Sequence, residues 1–223
     1  GVGHAPAPVA VEEAARVPVG AEALDCPDWL LPRLQASLGA DCDAVLQAMR
    51  HRAPVFLRVN MAKVGVAGAL AALAEEGIVC QLNSAANTAL EVTENARKVQ
   101  TSRAYADGLV ELQDAASQAV VQALPLRDGM TVLDYCSGGG GKALAMAARA
   151  RLTLLAHDAE ARRMKDLPAR AARAGAAIGI TENPAVAAPY DLILTDVPCS
   201  GSGSWRRDPQ GKWALTEARL AEL

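Results

Sequence analysis

A run of four glycines at residues 138–141, followed by Lys142, is the feature of the sequence most suggestive of chemistry. The residues before it, 131–135, have the composition of a short buried strand, and residues 142–149 predict a helix. Because glycine has no Cβ atom, the backbone of such a loop can approach a ligand closely, and the first turn of the helix offers free N–H groups. We therefore expect a ligand beside the carboxyl end of this strand.

Three kinds of ligand can be compared with this loop. A P-loop for nucleoside triphosphates would need glycine at Cys136 and serine or threonine at Ala143, so it is excluded. A dinucleotide such as NAD fits the glycine spacing, with Asp158 after the second predicted strand as its ribose anchor. S-adenosylmethionine fits equally, with Asp134 near its methionine part and Asp158 accepting hydrogen bonds from the ribose. Asp158 also suits a helix N-cap, so the loop alone does not decide.

A second group of reactive residues follows the strand predicted at 191–195. Asp196, Pro198 and Cys199 stand at its carboxyl end, beside the expected ligand site. A thiol there suits methylation of cytosine at carbon 5, because that carbon becomes nucleophilic only after a thiolate adds to carbon 6. Asp196 would then hydrogen-bond the pyrimidine edge. Free cysteines are more often small buried hydrophobes, but the flanking proline and Gly-Ser-Gly favour a surface loop for Cys199.

The elements that position these residues follow two patterns. The second half alternates short apolar strands with helices, which predicts a parallel, doubly wound sheet. Its strands are predicted at 131–135, 152–157, 176–181 and 191–195, with helices at 109–124, 142–149 and 159–174. The first half predicts a small α+β module with a strand at 55–60, a helix at 66–73 and strands at 78–82 and 89–92. We thus predict a linker at 1–24, the small module at 25–105 and a larger domain at 106–223.

The composition excludes several classes of protein. Of 223 residues, 51% are hydrophobic and 21% are charged, and the net charge of −3 argues against a polycation that coats nucleic acid. The five cysteines form no Cys-x-x-Cys pair, so we predict neither a disulfide framework nor a metal site. The longest apolar run is too short to cross a bilayer and no secretory signal is visible. We therefore expect a cytoplasmic protein without a membrane partner.

Five motifs in order along the chain resemble those of the RsmB/Sun family of RNA cytosine-5 methyltransferases. They are LRVN at 57–60, GLVELQDAASQ at 108–118, DYCSGGGGK at 134–142, DVPCSGSG at 196–203 and RRDPQGKW at 206–213. The resemblance covers about residues 25–223. It implies a Rossmann-like class I methyltransferase sheet with a small N-terminal α+β module, S-adenosylmethionine as the cofactor, and RNA as the substrate, ribosomal RNA in the bacterial members.

The resemblance also implies roles for individual residues. Cofactor contacts would come from the loop and from the ends of the second, third and fourth strands: Cys136, Ser137, Gly138, Gly139, Gly140, Gly141, Lys142, Asp158, Asn183 and Asp196. Counting from Asp158 selects Asn183 for the third strand, with Glu182 as its acidic neighbour. Asp196 and Cys199 would be catalytic, Asp196 by positioning the base and Cys199 by assisting release of the product.

Two departures from the family pattern lead to further expectations. The family loop commonly reads Cys-Ala-Ala-Pro-Gly-Gly-Lys, whereas Ser137, Gly138 and Gly139 stand in this chain, so we expect a looser loop. The family nucleophile lies in a Thr-Cys-Ser motif that is absent from the 223 residues. We therefore expect a fragment, or the ordered part, of a longer enzyme, with its sheet incomplete. An NAD-dependent oxidoreductase and a non-catalytic RNA-binding scaffold stay open as alternatives.

Basic residues near these motifs are candidates for contact with RNA. Arg206, Arg207 and Lys212, interleaved with two tryptophans, would grip phosphates and stack on a base, and a solvated loop is the alternative. Arg58 and Asn60 would either contact RNA or join the two modules.

Overall fold

A computed structural model describes residues 17–223 of the chain, so most of the linker predicted at 1–24 lies outside the described residues. The described residues form two compact units. The first contains the residues up to Ala53 together with Pro198–Leu223, and the second contains Pro54–Val197. Both predicted modules contribute their sheets to the second unit.

The helices and strands are as follows. The helices are α1 (Leu31–Leu38), α2 (Cys42–Met49), α3 (Val66–Glu75), α4 (Arg103–Ala106), α5 (Ala115–Ala123), α6 (Gly141–Ala147), α7 (Leu167–Ala174), α8 (Pro209–Ala214) and α9 (Glu217–Ala221). The strands are β1 (Val55–Val59), β2 (Val79–Leu82), β3 (Ala89–Glu94), β4 (Val110–Leu112), β5 (Thr131–Asp134), β6 (Thr153–Ala156), β7 (Gly179–Ile180) and β8 (Leu192–Leu194). No helix among residues 17–223 is long and apolar enough to cross a membrane.

The first sheet of the second unit is antiparallel, with the strand order β2-β3-β1-β4. Alternation along β1 gives the sheet two different faces. Leu57 and Val59 are buried in one apolar core with Leu73 of α3, whereas Phe56 on the opposite face packs with Ala115 of α5. Arg58 lies between Leu57 and Val59 in sequence, so the pleat turns its side chain away from the apolar core.

The helix predicted at 109–124 is wrong in its first residues, because Val110–Leu112 form β4. This strand pairs with β1 through Leu57↔Leu112 and Val59↔Val110. Its three residues are too few for their spacing to distinguish a strand from a helix. The helix α5 begins only after Asp114, whose side chain accepts a hydrogen bond from the Ala116 N–H as an N-cap.

The second sheet of this unit is parallel, with the strand order β7-β6-β5-β8, which confirms the predicted Rossmann-like fold class. β7 is shorter than predicted, since only Gly179 and Ile180 pair with β6. The helix predicted at 159–174 begins at Leu167 instead, because Pro168 lacks an N–H and is tolerated only in the first helical turn.

The carboxyl ends of three parallel strands meet at one edge of this sheet. Asp134, the last residue of β5, pairs with Ala156 of β6 on one side and with Leu194 of β8 on the other. The residues that follow these strands, including Asp158 and Asp196, are therefore brought to the same edge as the glycine loop.

The first unit has its own core and a polar cluster around the buried Lys212. Cys26, Leu46 and Trp205 pack together among the buried apolar side chains. Lys212 is 1% exposed, and its Nζ lies 3.0 Å from Oδ2 of Asp25, whose Oδ1 accepts a hydrogen bond of 2.9 Å from Trp213 Nε1. Burial alone would raise the pKa of Asp25, but the hydrogen bonds from Trp213 and Lys212 lower it overall.

Candidate functional site

The glycine loop joins β5 to α6 through backbone conformations that favour glycine. Gly138 and Gly140 have φ angles of +50° and +79°. A Cβ atom at Gly140 would lie 2.2 Å from Cδ1 of Leu167, so close packing against α7 also requires glycine there. The loop is therefore shaped both by its own conformation and by the helix beside it.

Three of the loop's N–H groups have partners within the second unit. The Ser137 N–H donates to the His157 carbonyl at 2.9 Å, and the Gly140 N–H donates to the Ser137 carbonyl at 2.8 Å. The Gly138 N–H donates to Oδ2 of Asp158 at 2.9 Å. These bonds involve neither Gly139 nor the first turn of α6, whose N–H groups remain as donors for a ligand.

Asp158 fixes the loop from the end of the second parallel strand. Besides the Gly138 N–H, its carboxylate accepts a hydrogen bond of 2.9 Å from the Glu160 N–H, and it lies 3.4 Å from Arg163 Nη1. Asp158 thus ties two loops together, but it is not the N-cap residue of the following 3-10 turn or of α7. Its contact with a cofactor stays a prediction.

Asp134 is the least satisfied polar residue of the site. It is 1% exposed, and neither of its carboxylate oxygens has a hydrogen-bond partner, nor does the buried hydroxyl of Ser137. Burial raises the pKa of Asp134 to about 6, although the Ser137 hydroxyl, the Lys142 ammonium and the Ala143 N–H are close enough to oppose the rise without forming a hydrogen bond of good geometry. Buried polar atoms are nearly always paired, so these groups are candidates for ligand contact.

Asp134 and Asp196 line one cavity of about 210 Å³. Lys142 from the first turn of α6 forms an ion pair with Asp196 at its edge. The cavity is lined by Gln113, Ser117, Asp134, Cys136, Ser137, Gly141, Lys142 and Asp196. The structure thus brings together the ends of β5 and β8, as the sequence predicts, and adds Gln113 and Ser117, which sequence reasoning missed.

A second cavity, of about 230 Å³, lies at the ends of β6 and β7. Asp158, Thr181 and Glu182 are among its lining residues. Asn183 does not line it, because its side chain accepts a hydrogen bond of 3.1 Å from the Ala185 N–H and caps a short 3-10 turn. Of the two residues considered for the third strand, Glu182 is therefore better placed than Asn183.

A larger cavity, of about 550 Å³, lies near the amino ends of β5 and β6. Alanines and glycines account for much of its lining, and two of its charged residues, Arg151 and Asp128, pair with each other at 2.6 Å. Among residues 17–223, no group of three or more His, Cys, Asp or Glu side chains could hold a metal ion. This cavity therefore adds no candidate catalytic residue, and residues 17–223 add no candidate metal ligands.

Three residues considered as RNA contacts are buried, and for Arg58 and Asn60 the contacts agree with the alternative, that they join the two predicted modules. Arg58 is 3% exposed and donates to Gln113 Oε1 and the Gly141 carbonyl, at 2.7 and 2.8 Å. The Asn60 amide donates to the carbonyls of Gly108 and Ala174, both at 2.9 Å. Lys212 is buried against Asp25. Their polar atoms are engaged inside the fold and are not available to phosphates.

The other predicted RNA and catalytic residues lie on the surface of the first unit. Arg206 donates to the carbonyls of His51 and Arg52, and Arg207 is exposed. Cys199 is an exposed free thiol three residues after Asp196 in sequence, which agrees with a surface loop. The roles of these residues stay predictions.

Sequence reasoning also missed a buried cluster around Glu111 of β4. Its carboxylate pairs with Arg173 at 2.7 Å and with Arg170 at 3.5 Å, both on α7. The only sequence signal was Asp114 as a helix cap, which would have separated β4 from α5 and placed Glu111 on a strand.

The chain is similar to ribosomal RNA methyltransferases over most of its length. A family model described as a ferredoxin-like domain of RsmF/B-like methyltransferases matches residues 26–100, and a model described as 16S rRNA methyltransferase RsmB/F matches residues 121–223. Ribosomal RNA small subunit methyltransferase B of Xanthomonas campestris pv. campestris is 34% identical over 202 residues, covering 86% of this chain and 46% of that protein. The chain spans about half the length of the curated relatives it matches.

Two solved structures share the fold. The crystal structure of PH0851 has a TM-score of 0.83 and 26% identity, covering 95% of this chain and 51% of that one. The crystal structure of NSun6 from Pyrococcus horikoshii with SFG has a TM-score of 0.68 and 13% identity, covering 78% of this chain and 71% of that one. At 13% identity the second likeness concerns the fold alone.

Proposed function

Because the chain belongs to the RsmB/F family of methyltransferases, we propose that the protein transfers methyl groups from S-adenosylmethionine to ribosomal RNA. The family match covers every strand of both sheets except β4, and the Xanthomonas relative is named for action on small-subunit ribosomal RNA. The alternatives, an oxidoreductase and a non-catalytic scaffold, receive no support from these relatives.

The buried, unpartnered carboxylate of Asp134 is the observation that carries the choice of cofactor. A buried carboxylate without hydrogen bonds destabilises the fold unless a ligand satisfies it. S-adenosylmethionine bears an ammonium group and a sulfonium group, and both cations suit a cavity lined by Asp134 and Asp196. The residues present therefore fit this cofactor.

The same observation argues against a dinucleotide. A pyrophosphate at this loop would lack the N–H donors of Ser137, Gly138 and Gly140, which are engaged within the protein, and would have only those of Gly139 and the first turn of α6. It would also bring negative charge close to the carboxylate of Asp134, which repels it.

The residues of the two cavities would divide the cofactor between them. Asp134, Ser137 and Lys142 would hold its methionine part, and Asp158 with Glu182 would hold its ribose and base. When bound, S-adenosylmethionine supplies an electrophilic methyl group. Gly141 leaves room for close approach, since a Cβ atom there would lie 3.5 Å from Nε2 of Gln113, which also lines the cavity.

We extend the proposal to carbon 5 of cytosine as the methylated position. Asp196, exposed beside Lys142, would hydrogen-bond the pyrimidine edge, and Cys199 would assist removal of the carbon-5 proton and release of the product. The resemblance assigns the attacking thiolate to a Thr-Cys-Ser motif. That motif is absent from the 223 residues. The role proposed for Cys199 is therefore limited to product release, and the attacking thiolate is not among these residues.

Calorimetric titration of the chain with S-adenosylmethionine and, separately, with NAD tests the cofactor. We expect saturable binding of the methyl donor and only heat of dilution from NAD. Saturable NAD binding with no response to S-adenosylmethionine would overturn the proposal and restore the oxidoreductase.

Deletion of the gene in its host tests the substrate. Nucleoside mass spectrometry of 16S ribosomal RNA should show the loss of one 5-methylcytidine. Loss of a different methylated nucleoside would retain methyl transfer and reject carbon 5, whereas an unchanged profile would reject this RNA as the substrate.

A further inference from the structure

Two arginines from outside the glycine loop donate hydrogen bonds to its carbonyl groups. Arg170 of α7 donates to the carbonyl of Gly139, and Arg58 of β1 donates to the carbonyl of Gly141 at 2.8 Å. The loop, between β5 and α6, is thus held at two points by side chains of a helix and of the other sheet. Such charge-assisted bonds are stronger than bonds between neutral groups.

Glu111 provides the negative charge that these arginines need in their buried surroundings. Its buried carboxylate lies 3.5 Å from Arg170 and 2.7 Å from Arg173. Its charge also favours the protonated form of Arg58, whose burial lowers its pKa to about 10. Without Glu111, three guanidinium groups would lie near one another without a buried counter-charge, which is unfavourable.

On the basis of the proposed function, we infer that Arg170, held by Glu111, is a positioning residue that fixes the glycine loop before the cofactor binds. Four consecutive glycines have more conformational freedom than any other tetrapeptide, and ordering them on binding would weaken affinity. The family loop has proline at the position of Gly139, and a proline ring would restrict the backbone. In this chain the hydrogen bond from Arg170 restrains the same residue from outside.

The geometry links Arg170 and Gly139 in a way that can be tested. A Cβ atom at Gly139 would lie 2.9 Å from Nη1 of Arg170, so alanine there displaces the guanidinium from the carbonyl. The φ angle of Gly139 is not in the left-handed region, so alanine adds no backbone strain of that kind. Arg170→Met and Gly139→Ala should therefore disturb the same contact, and their effects should not add.

Hydrogen–deuterium exchange of the chain without cofactor is the first measurement. Arg170→Met should speed exchange in peptides that cover residues 136–142 by about tenfold, because a charge-assisted hydrogen bond is lost. Arg173→Met is the matched control, since Arg173 lies on the same helix and pairs with the same carboxylate but has no hydrogen bond to the loop. It should leave exchange in the loop within about twofold of wild type.

Calorimetric titration with S-adenosylmethionine is the second measurement. Arg170→Met should raise Kd by about tenfold, Gly139→Ala should raise it similarly, and the double variant should bind no more weakly than either. Arg170→Lys, which retains a donor and the charge, should recover part of the loss.

The outcomes separate this inference from the proposed function. Failure of the wild-type chain to bind S-adenosylmethionine would count against the proposed function, and the exchange measurement would then decide the inference alone. Unchanged loop exchange in Arg170→Met, or additive effects of the two substitutions, would overturn the inference. If Arg170→Met does not fold, the comparison of Gly139→Ala with wild type decides by the same criteria.

Discussion

Asp25 of the first unit, which is half-buried, and Asp134 of the second, which is buried, have pKa values shifted in opposite directions. Asp25 accepts hydrogen bonds from Lys212 and Trp213, and these bonds lower its pKa. Neither carboxylate oxygen of Asp134 has a hydrogen bond of good geometry, and burial raises its pKa to about 6 despite the nearby Ser137 hydroxyl and Ala143 N–H. Both are aspartates beside a lysine, yet the lysine near Asp134 pairs with Asp196 instead.

The difference separates a structural polar cluster from a ligand site. The cluster of Asp25, Lys212 and Trp213 is complete within the protein, so it stabilises the first unit and has no capacity left for RNA. The carboxylate of Asp134 reduces stability as it stands, and a cationic ligand would reverse that effect. Substitutions of Asp25 and Asp134 test this contrast directly, with the larger effect expected at Asp25.

Asp25→Asn should lower the free energy of unfolding by roughly 3 kcal/mol, because Lys212 would then be buried without a counter-charge. Asparagine still accepts a hydrogen bond from Trp213, so the substitution isolates the loss of charge. Urea unfolding followed by circular dichroism measures the change. Asp28→Asn, at an exposed neighbouring position, should change stability by less than about 0.5 kcal/mol. A loss of similar size in both variants would show that Asp25 is not the counter-charge that stabilises the buried Lys212.

Asp134→Asn should make stability less dependent on pH. The folded-state pKa of about 6 lies above the ordinary value of 3.8, so the folded protein binds the proton more tightly than the unfolded chain. Wild-type stability should therefore fall by about 2 kcal/mol, relative to the variant, as pH rises from about 4 to about 7. Urea unfolding of both proteins across this range measures the difference. A constant difference would contradict the raised pKa.

Asn183→Ala should lower stability by only about 0.5 kcal/mol, because its side chain caps an exposed 3-10 turn. It should leave the Kd for S-adenosylmethionine unchanged, whereas Glu182→Gln should raise that Kd by about fivefold through loss of a charged acceptor. Thermal unfolding and calorimetry on both variants make the comparison. The reverse pattern would return the third-strand contact to Asn183.

The parts of the fold that follow local rules were predictable from the sequence. The strand before the glycines, the helix after them and the parallel order of the second sheet depend on apolar runs and turn residues close together in the chain. The positions of Asp134, Asp158 and Asp196 at one edge follow from that order, because parallel strands end on the same side.

Features that depend on distant partners were not predictable. Arg58 and Lys212 are basic residues of the kind that contact RNA. In the structure, however, Arg58 binds Gly141, 83 residues away in the chain, and Lys212 binds Asp25, 187 residues away. Glu111 meets Arg173 across 62 residues, and no local pattern indicates that pair. A basic residue beside a motif therefore needs the tertiary structure before its function can be assigned.

The most direct test of the central claim is the affinity of S-adenosylmethionine for wild-type protein and for Asp134→Asn at pH 7.5, measured by calorimetry. We expect one saturable site in the wild type and a Kd at least tenfold higher in Asp134→Asn, with the variant as stable as the wild type or more so. Equal affinity in the two proteins, or no binding to either, would contradict the claim that the unpaired carboxylate at the glycine loop receives the methyl donor.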